Sequence, residues 1–367
     1  MITDSAGVEV VSHPSSVVSR ALRWSMSGTP ERTLGGDAAL FRVVDVRPLP
    51  GGGVAVANGS TQEIVEFAPE GFPRPGRGGA GDGPGEFRGL ASVVPLADGR
   101  LGGFDARLRR VTIFDDDAPP TSLLLSDALP RWVRTSLLVS RDRWVLFGEG
   151  GITADLDPVD RASVESVALA PDGRILARYG PFPGDELFAG NDLGVVMFGA
   201  VLEAALVGDR LVVGDSDRAE LRVFGPDGGL ERLIRWPEPE RAVTDARVDE
   251  WIRGMASGAE EDRRAAVEER LRTLVPRGDV LPAFHRILGA DDGRIWVGRY
   301  HDPEQAVRTA PPQSMTWRVF GLDGALVARL DTPDGIEVHA VAQGRLWGVH
   351  HDGQGVETVR AYRYGPG

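Results

Sequence analysis

Five of the six histidines, His285, His301, His339, His350 and His351, fall in the last quarter of the chain. Neutral imidazole is a common metal ligand. His301 and His350 with Asp352 could hold a metal ion, and Glu337 could then act in metal-assisted hydrolysis. Neighbours on a strand point to opposite faces, which weighs against His350 and His351 serving one ion together. A second set is basic: Arg42, Arg88 and Arg134, with His285 and Glu337, precede or open strands at comparable places in successive segments. Guanidinium groups gathered at one end of a fold would favour an anionic or polar ligand. Asp105 and Asp215 stand where turns are expected, and their reading is turn formation through side-chain bonds to nearby amides.

Other chemistries are excluded by residue type. The chain has no cysteine, so disulfides, thiolate nucleophiles and Cys-ligated zinc are absent. All 41 basic residues are arginine, which removes Schiff-base and P-loop lysines. Gly-x-Ser-x-Gly, His-Glu-x-x-His and Walker patterns do not occur. The glycine-rich run 81–85 leads into a strand, not a helix, so it lacks the helix N-terminus of a phosphate cradle. A net charge of −13 argues against nucleic acid as a partner. No apolar run approaches the roughly 18 residues of a membrane span. The first residues show neither a basic segment nor an apolar one, so no signal peptide is read.

These side chains need a scaffold, and the spacing describes one. Residues 78–114 form a complete unit: a glycine-rich lead-in, a strand, a turn at Asp98-Gly99, a second strand, a polar break at Asp105, and a third strand ending in Val111-Thr112-Ile113-Phe114. Alternating β-branched residues between Gly and Asp clusters mark each strand. The preceding unit has its turn glycine at Gly52, 47 residues before Gly99. A period of about 40–50 residues with several strands each is the spacing of propeller blades. Further units are expected at about 132–179, 201–236, 281–330 and 336–362. The hairpin turns lie on one rim of such a ring. The named arginines, His285 and Glu337 would lie on the other, where functional loops are expected.

Residues 241–275 break the pattern. Val248, Trp251 and Ile252 recur at helical spacing, as do Val267, Leu271 and Leu274, and Thr244 and Asp245 are candidate N-caps. The last unit has only three strands. A ring must close, so a strand within 17–24 is expected to complete it and protect its edge. The whole chain, 1–367, is read as one domain.

The Gly81-Asp82-Gly83-Pro84-Gly85-Glu86-Phe87 run, the Ala290–Val297 hairpin sequence ADDGRIWV and the third strands ending in Val-x-Ile/Val-Phe resemble NHL-type six-bladed β-propellers. They are closer still to uncharacterised bacterial six-bladed propeller proteins with a helical insertion before the fifth blade. The resemblance implies an all-β six-bladed propeller with a helical insertion between blades four and five. It implies a binding or scaffold module taking an unknown protein or small polar ligand at the mouth, without a cofactor, in the periplasm or outside the cell. The alternative is a metal-dependent, lactonase-like hydrolase with its site in the channel. Calcium-dependent lactonase propellers use several Asn, and this chain has only Asn58 and Asn191.

Overall fold

The computed structural model describes residues 1–36, 40–125, 128–129, 132–140, 142–150, 159–189, 193–238, 241–300, 314–352 and 356–366. Its strands form antiparallel meanders in chain order. In the first, Val43–Pro48, Val54–Asn58, Glu63–Phe67 and Arg77–Gly78 pair successively. The second holds Leu90–Pro95, Leu101–Asp105, Arg110–Phe114 and Thr121–Leu124. The third holds Trp132–Val139, Trp144–Gly150, Val159–Leu169 and Ile175–Ala189, with Leu193–Val195 added. The fourth, Leu202–Val207, Arg210–Asp215, Glu220–Phe224 and Leu230–Arg235, is extended at its outer edge by Val8–Ser12 and Ile2–Ser5.

The remaining strands form one nine-stranded sheet. It comprises a fifth meander (Phe284–Gly289, Arg294–Arg299, Thr316–Gly321, Leu326–Asp331) and a sixth (Ile336–Ala342, Arg345–His351, Glu357–Pro366). Leu22–Met26 joins them, pairing parallel with Leu326–Asp331 and antiparallel with the end of Glu357–Pro366.

The strand that completes the sixth meander differs from the one expected at 17–24. Arg32–Leu34 takes that place, with Leu34 opposite Val359. Leu34 is buried in a cluster with Val46, Trp347 and Val359, so its side chain closes the seam between the last and first meanders. Residues 17–24 divide instead between a short helix, α1 (Ser15–Ser19), and Leu22–Met26. Pro14 is its N-cap, and Val18 packs onto the apolar seam between the fourth and fifth meanders. Trp24 stacks with Tyr364 and leans on Trp296, at ring-centroid distances of 5.7 and 6.2 Å.

The first-listed strand of each meander lies innermost. Val43–Pro48 contacts Leu90–Pro95, which contacts Trp132–Val139; contacts continue to Leu202–Val207, Phe284–Gly289 and Ile336–Ala342, and return to Val43–Pro48. Seams between meanders are apolar. Phe104, Trp144 and Val167 fill one, and Phe284, Trp236 and Val212 another. The fold is β-propeller-like.

Two helices, α2 (Asp245–Ala256) and α3 (Glu261–Leu274), connect the fourth and fifth meanders. Thr244 caps α2, accepting from the Arg247 amide at 3.4 Å. Trp251 and Ile252 are buried against Met197, Phe198 and Leu281. Those residues come just before the inner strands of the fourth and fifth meanders, so α2 is seated on their rim. By contrast, α3 buries no residue, and Leu274 is exposed although its spacing pointed inward. Since Ile252 is fully buried, Ile252→Val is expected to destabilise the fold by about 1 kcal/mol, read from urea unfolding.

Candidate functional site

Two of the expected rim arginines, Arg42 and Arg88, are turned to solvent. Arg42 is exposed, with φ of 56° at the turn before the first inner strand. Arg88 is exposed and bound through its Nε and Nη2 donors to Asp82, while its amide donates to Asp105 at 2.7 Å. Arg134 lies within Trp132–Val139, and its side chain is outside the described residues. Asp105 also accepts from the amides of Arg107 and Leu108, at 2.9 and 2.8 Å, so it is a turn former. Asp215 accepts a two-pronged pair from Arg161, both bonds 2.9 Å.

Of the proposed metal set, His350 and Asp352 are described. His301 lies outside the described residues. Asp352 is exposed and accepts from the Val356 amide at 2.8 Å, closing its own loop. His350 lies beside Arg360 and His351, and burial and those charges lower its pKa. Among the described residues, no three His, Asp or Glu side chains converge to hold a metal ion.

His285 and Glu337 do belong together, and the residue between them was not singled out from the sequence. Arg286 donates to Glu337 at 3.1 Å from the neighbouring inner strand. On its other side Arg286 faces Glu203, whose carboxylate accepts from the Ile287 amide at 3.2 Å. His339 Nε2 lies 3.5 Å from Glu337. Three inner strands thus contribute one continuous polar line, Glu203–Arg286–Glu337–His339. Glu203 also lines a cavity of about 310 Å³ with Ser136, Glu149, Asp185, Leu202 and Ala204. Asp185 is fixed by the Leu202 amide at 2.9 Å.

Local sequence explains these positions. The strands Leu202–Val207 and Phe284–Gly289 are apolar apart from Glu203, His285 and Arg286. Ala205 and Val207 enter the core beside the fifth meander. Glu203 shares their face but lies nearer the rim, where the seam gives way to the cavity. A charged residue interrupting an inner strand was the available signal, and it points to Glu203 and Arg286.

The two carboxyl groups are held differently. Burial raises Glu203 to about 7; Arg286 and the Ile287 amide oppose this, and Asp185 adds to it. Burial would also raise Glu337, but His339 and Arg286 outweigh it and hold the group below its usual range. Around one guanidinium, therefore, one carboxyl titrates near neutrality while the other stays ionised.

His285 is depressed to about 4, first by burial and then by Arg286. Its ring lies 6.4 Å from that of Tyr300 in an edge-on arrangement. The unfolded chain binds this proton near pH 6.5 and the folded chain only near 4. Stability supplied by neutral His285 is therefore present above pH 6.5 and lost as pH falls towards 4. His285→Gln is expected to weaken that loss, visible as a smaller drop in midpoint between pH 7 and 4.5 in urea titrations.

No protein-family model matches the sequence, and no curated protein matches it. Solved structures do. A member of the DUF4221 family from Bacteroides vulgatus aligns over 95% of this chain and 100% of its own, at 9% identity and a TM-score of 0.55. An aldose sugar dehydrogenase from Streptomyces coelicolor aligns over 94% and 99%, at 14% identity and a TM-score of 0.47. A gluconolactonase from Xanthomonas campestris aligns over 94% and 98%, at 13% identity and a TM-score of 0.46. The likeness is one of fold. No helix among the described residues is long and apolar enough to cross a membrane.

Proposed function

We propose that the chain is a six-bladed propeller of the NHL-like kind whose channel binds a small polar molecule and hydrolyses it, as an esterase or lactonase. Six inner strands that touch in succession and return to the first support the blade count. The reaction rests on one observation: Glu203, raised to about 7 by burial with Arg286 as its charged neighbour, lines the cavity. Ionisable groups shifted towards neutrality by burial and a charged partner are concentrated at reactive sites.

In this reading Glu203, ionised, takes a proton from a water molecule as its oxygen bonds to the substrate carbonyl carbon. Arg286, anchored by Glu337, supplies positive charge next to Glu203 as negative charge develops on the carbonyl oxygen. The tetrahedral intermediate then collapses, the carbon–oxygen bond to the leaving alcohol breaks, and Glu203 returns the proton to that oxygen. Glu337 and His339 position Arg286. Among the described residues no three acids or histidines gather to hold a metal, and no step is assigned to one.

A panel of small lactones and aryl esters assayed with the purified chain tests this. Turnover that disappears in Glu203→Gln supports it. No turnover, together with saturable binding of a panel member, would return the channel to the binding role read from the sequence. The helices seated on the rim by Trp251 and Ile252 would then border a ligand site without chemistry.

A further inference from the structure

A second cavity, of about 260 Å³, lies away from Glu203 on the fifth meander, roofed by Val18 and Ala21 at and just after α1. Four arginines line it: Arg23, Arg299, Arg318 and Arg329. The pairing register explains why they converge. Arg318 stands directly opposite Arg329, and Arg329 directly opposite Arg23, on three adjacent strands. Arg299 follows Val297, the partner of Arg318 on the next strand, by two residues and so shares its face. Like charges directly opposite one another destabilise a sheet. A row of three is therefore a feature that a sequence with net charge −13 has no general reason to build.

The acids present do not balance it. Glu238, itself buried, forms ion pairs with Arg299 and Arg318, each at 2.8 Å. Asp331 pairs with Arg23 at 3.0 Å at the solvent edge and accepts from the Thr316 hydroxyl at 2.7 Å. Among the described residues, two carboxylates thus face four guanidinium groups. Arg329 Nε is buried and has no hydrogen-bond partner among the described residues. The side chain of Arg318 is only 10% exposed, and burial lowers its pKa, the neighbouring Arg299 and Arg329 adding to this and Glu238 opposing it. An arginine remains charged under such conditions, so the excess charge is real.

We propose that this cavity is a binding site for a doubly charged tetrahedral oxyanion, phosphate either free or as a monoester. Two net positive charges match its dianion. Guanidinium forks bind phosphate oxygens through paired N–H bonds. The Arg329 Nε–H gives a further donor, and Leu326, Val18 and Ala21 form the apolar part of the lining. The site is separate from the channel and does not depend on any reaction there.

The test uses the full chain at low ionic strength, with thermal unfolding and calorimetric titration against inorganic phosphate, glycerol 3-phosphate, and potassium chloride at matched ionic strength. Expected are one saturable site and a rise in Tm with phosphate or its monoester that chloride does not reproduce. Preference for the monoester assigns a phosphorylated small molecule, and equal or tighter binding of inorganic phosphate assigns the free anion. Arg329→Gln should weaken binding at least tenfold while leaving the Tm without phosphate unchanged or raised, because it removes repulsion in the row. Should that variant fail to fold, Arg23→Gln, at the exposed edge, should still reduce affinity several-fold. The proposal is overturned if neither anion binds saturably, if chloride matches phosphate, or if Arg329→Gln (or Arg23→Gln in its place) binds phosphate as the parent does.

Discussion

Glu203→Gln is expected to lower ester or lactone hydrolysis by about 10²–10⁴-fold, the usual contribution of a positioned proton-transfer group. The parent rate should rise with pH through about 7, because the base acts when ionised. The variant should lose that dependence. Stability should move the other way. The folded chain holds the Glu203 proton up to about pH 7, whereas the ordinary value is 4.5. Its burial therefore carries no penalty below the unfolded value. The penalty grows as pH climbs from there to 7 and beyond, to a limit of roughly 3 kcal/mol that water in the cavity reduces. Glutamine keeps the shape and never ionises, so Glu203→Gln should be the more stable protein at pH 8 and nearly equal to the parent at pH 4.5. Loss of rate with gain of stability separates a functional carboxyl from a structural one. Undiminished hydrolysis by the variant, or a parent rate flat across pH 6–8, would sink the assignment.

Much of the scaffold can be read directly from spacing, because turns and strands are local. The Asp98-Gly99 and Asp292-Gly293 turns need a glycine at positive φ, and both have one, at 89° and 83°. The helical insertion shows itself through Trp251 and Ile252. Closure was harder, because it is decided by long-range fit. The stretch 17–24 carries strand character, and Leu22–Met26 does pair at the end of Glu357–Pro366, but packing of Leu34 against Val46 and Val359 gives the place beside Val359 to 32–34. The site was harder again. Arg88 stands at a plausible place on the rim, yet Asp82, six residues away, already claims it. Glu203 and Arg286 lie 83 residues apart, and nothing local reveals that adjacent inner strands set them face to face. Glu238 follows a strand end like many other surface acids, and its burial between Arg299 and Arg318 exists only once the chain has folded.

That buried acid carries the largest expected loss of stability. Glu238→Ala is expected to destabilise the fold by about 3 kcal/mol, towards the lower end of what removing one partner of a buried ion pair costs. Its side chain is only 3% exposed, and it balances two guanidinium groups at 2.8 Å while accepting from the Trp236 indole at 3.3 Å. Arg299 is about one-third exposed and can turn to solvent, which limits the loss. Arg318 cannot, and without Glu238 it faces Arg329 across the ladder with no carboxylate paired to either among the described residues. The effect should appear as a lower urea midpoint with an unchanged denaturant slope. An anion in the neighbouring cavity would replace part of the lost charge. The deficit should accordingly be smaller in phosphate than in chloride of equal ionic strength, and this difference should vanish when Arg329→Gln is added. A deficit below about 1 kcal/mol in chloride would mean that the arginines are solvated in the folded chain, as exposed pairs are. The balance of charge drawn for the cavity would then fail with it.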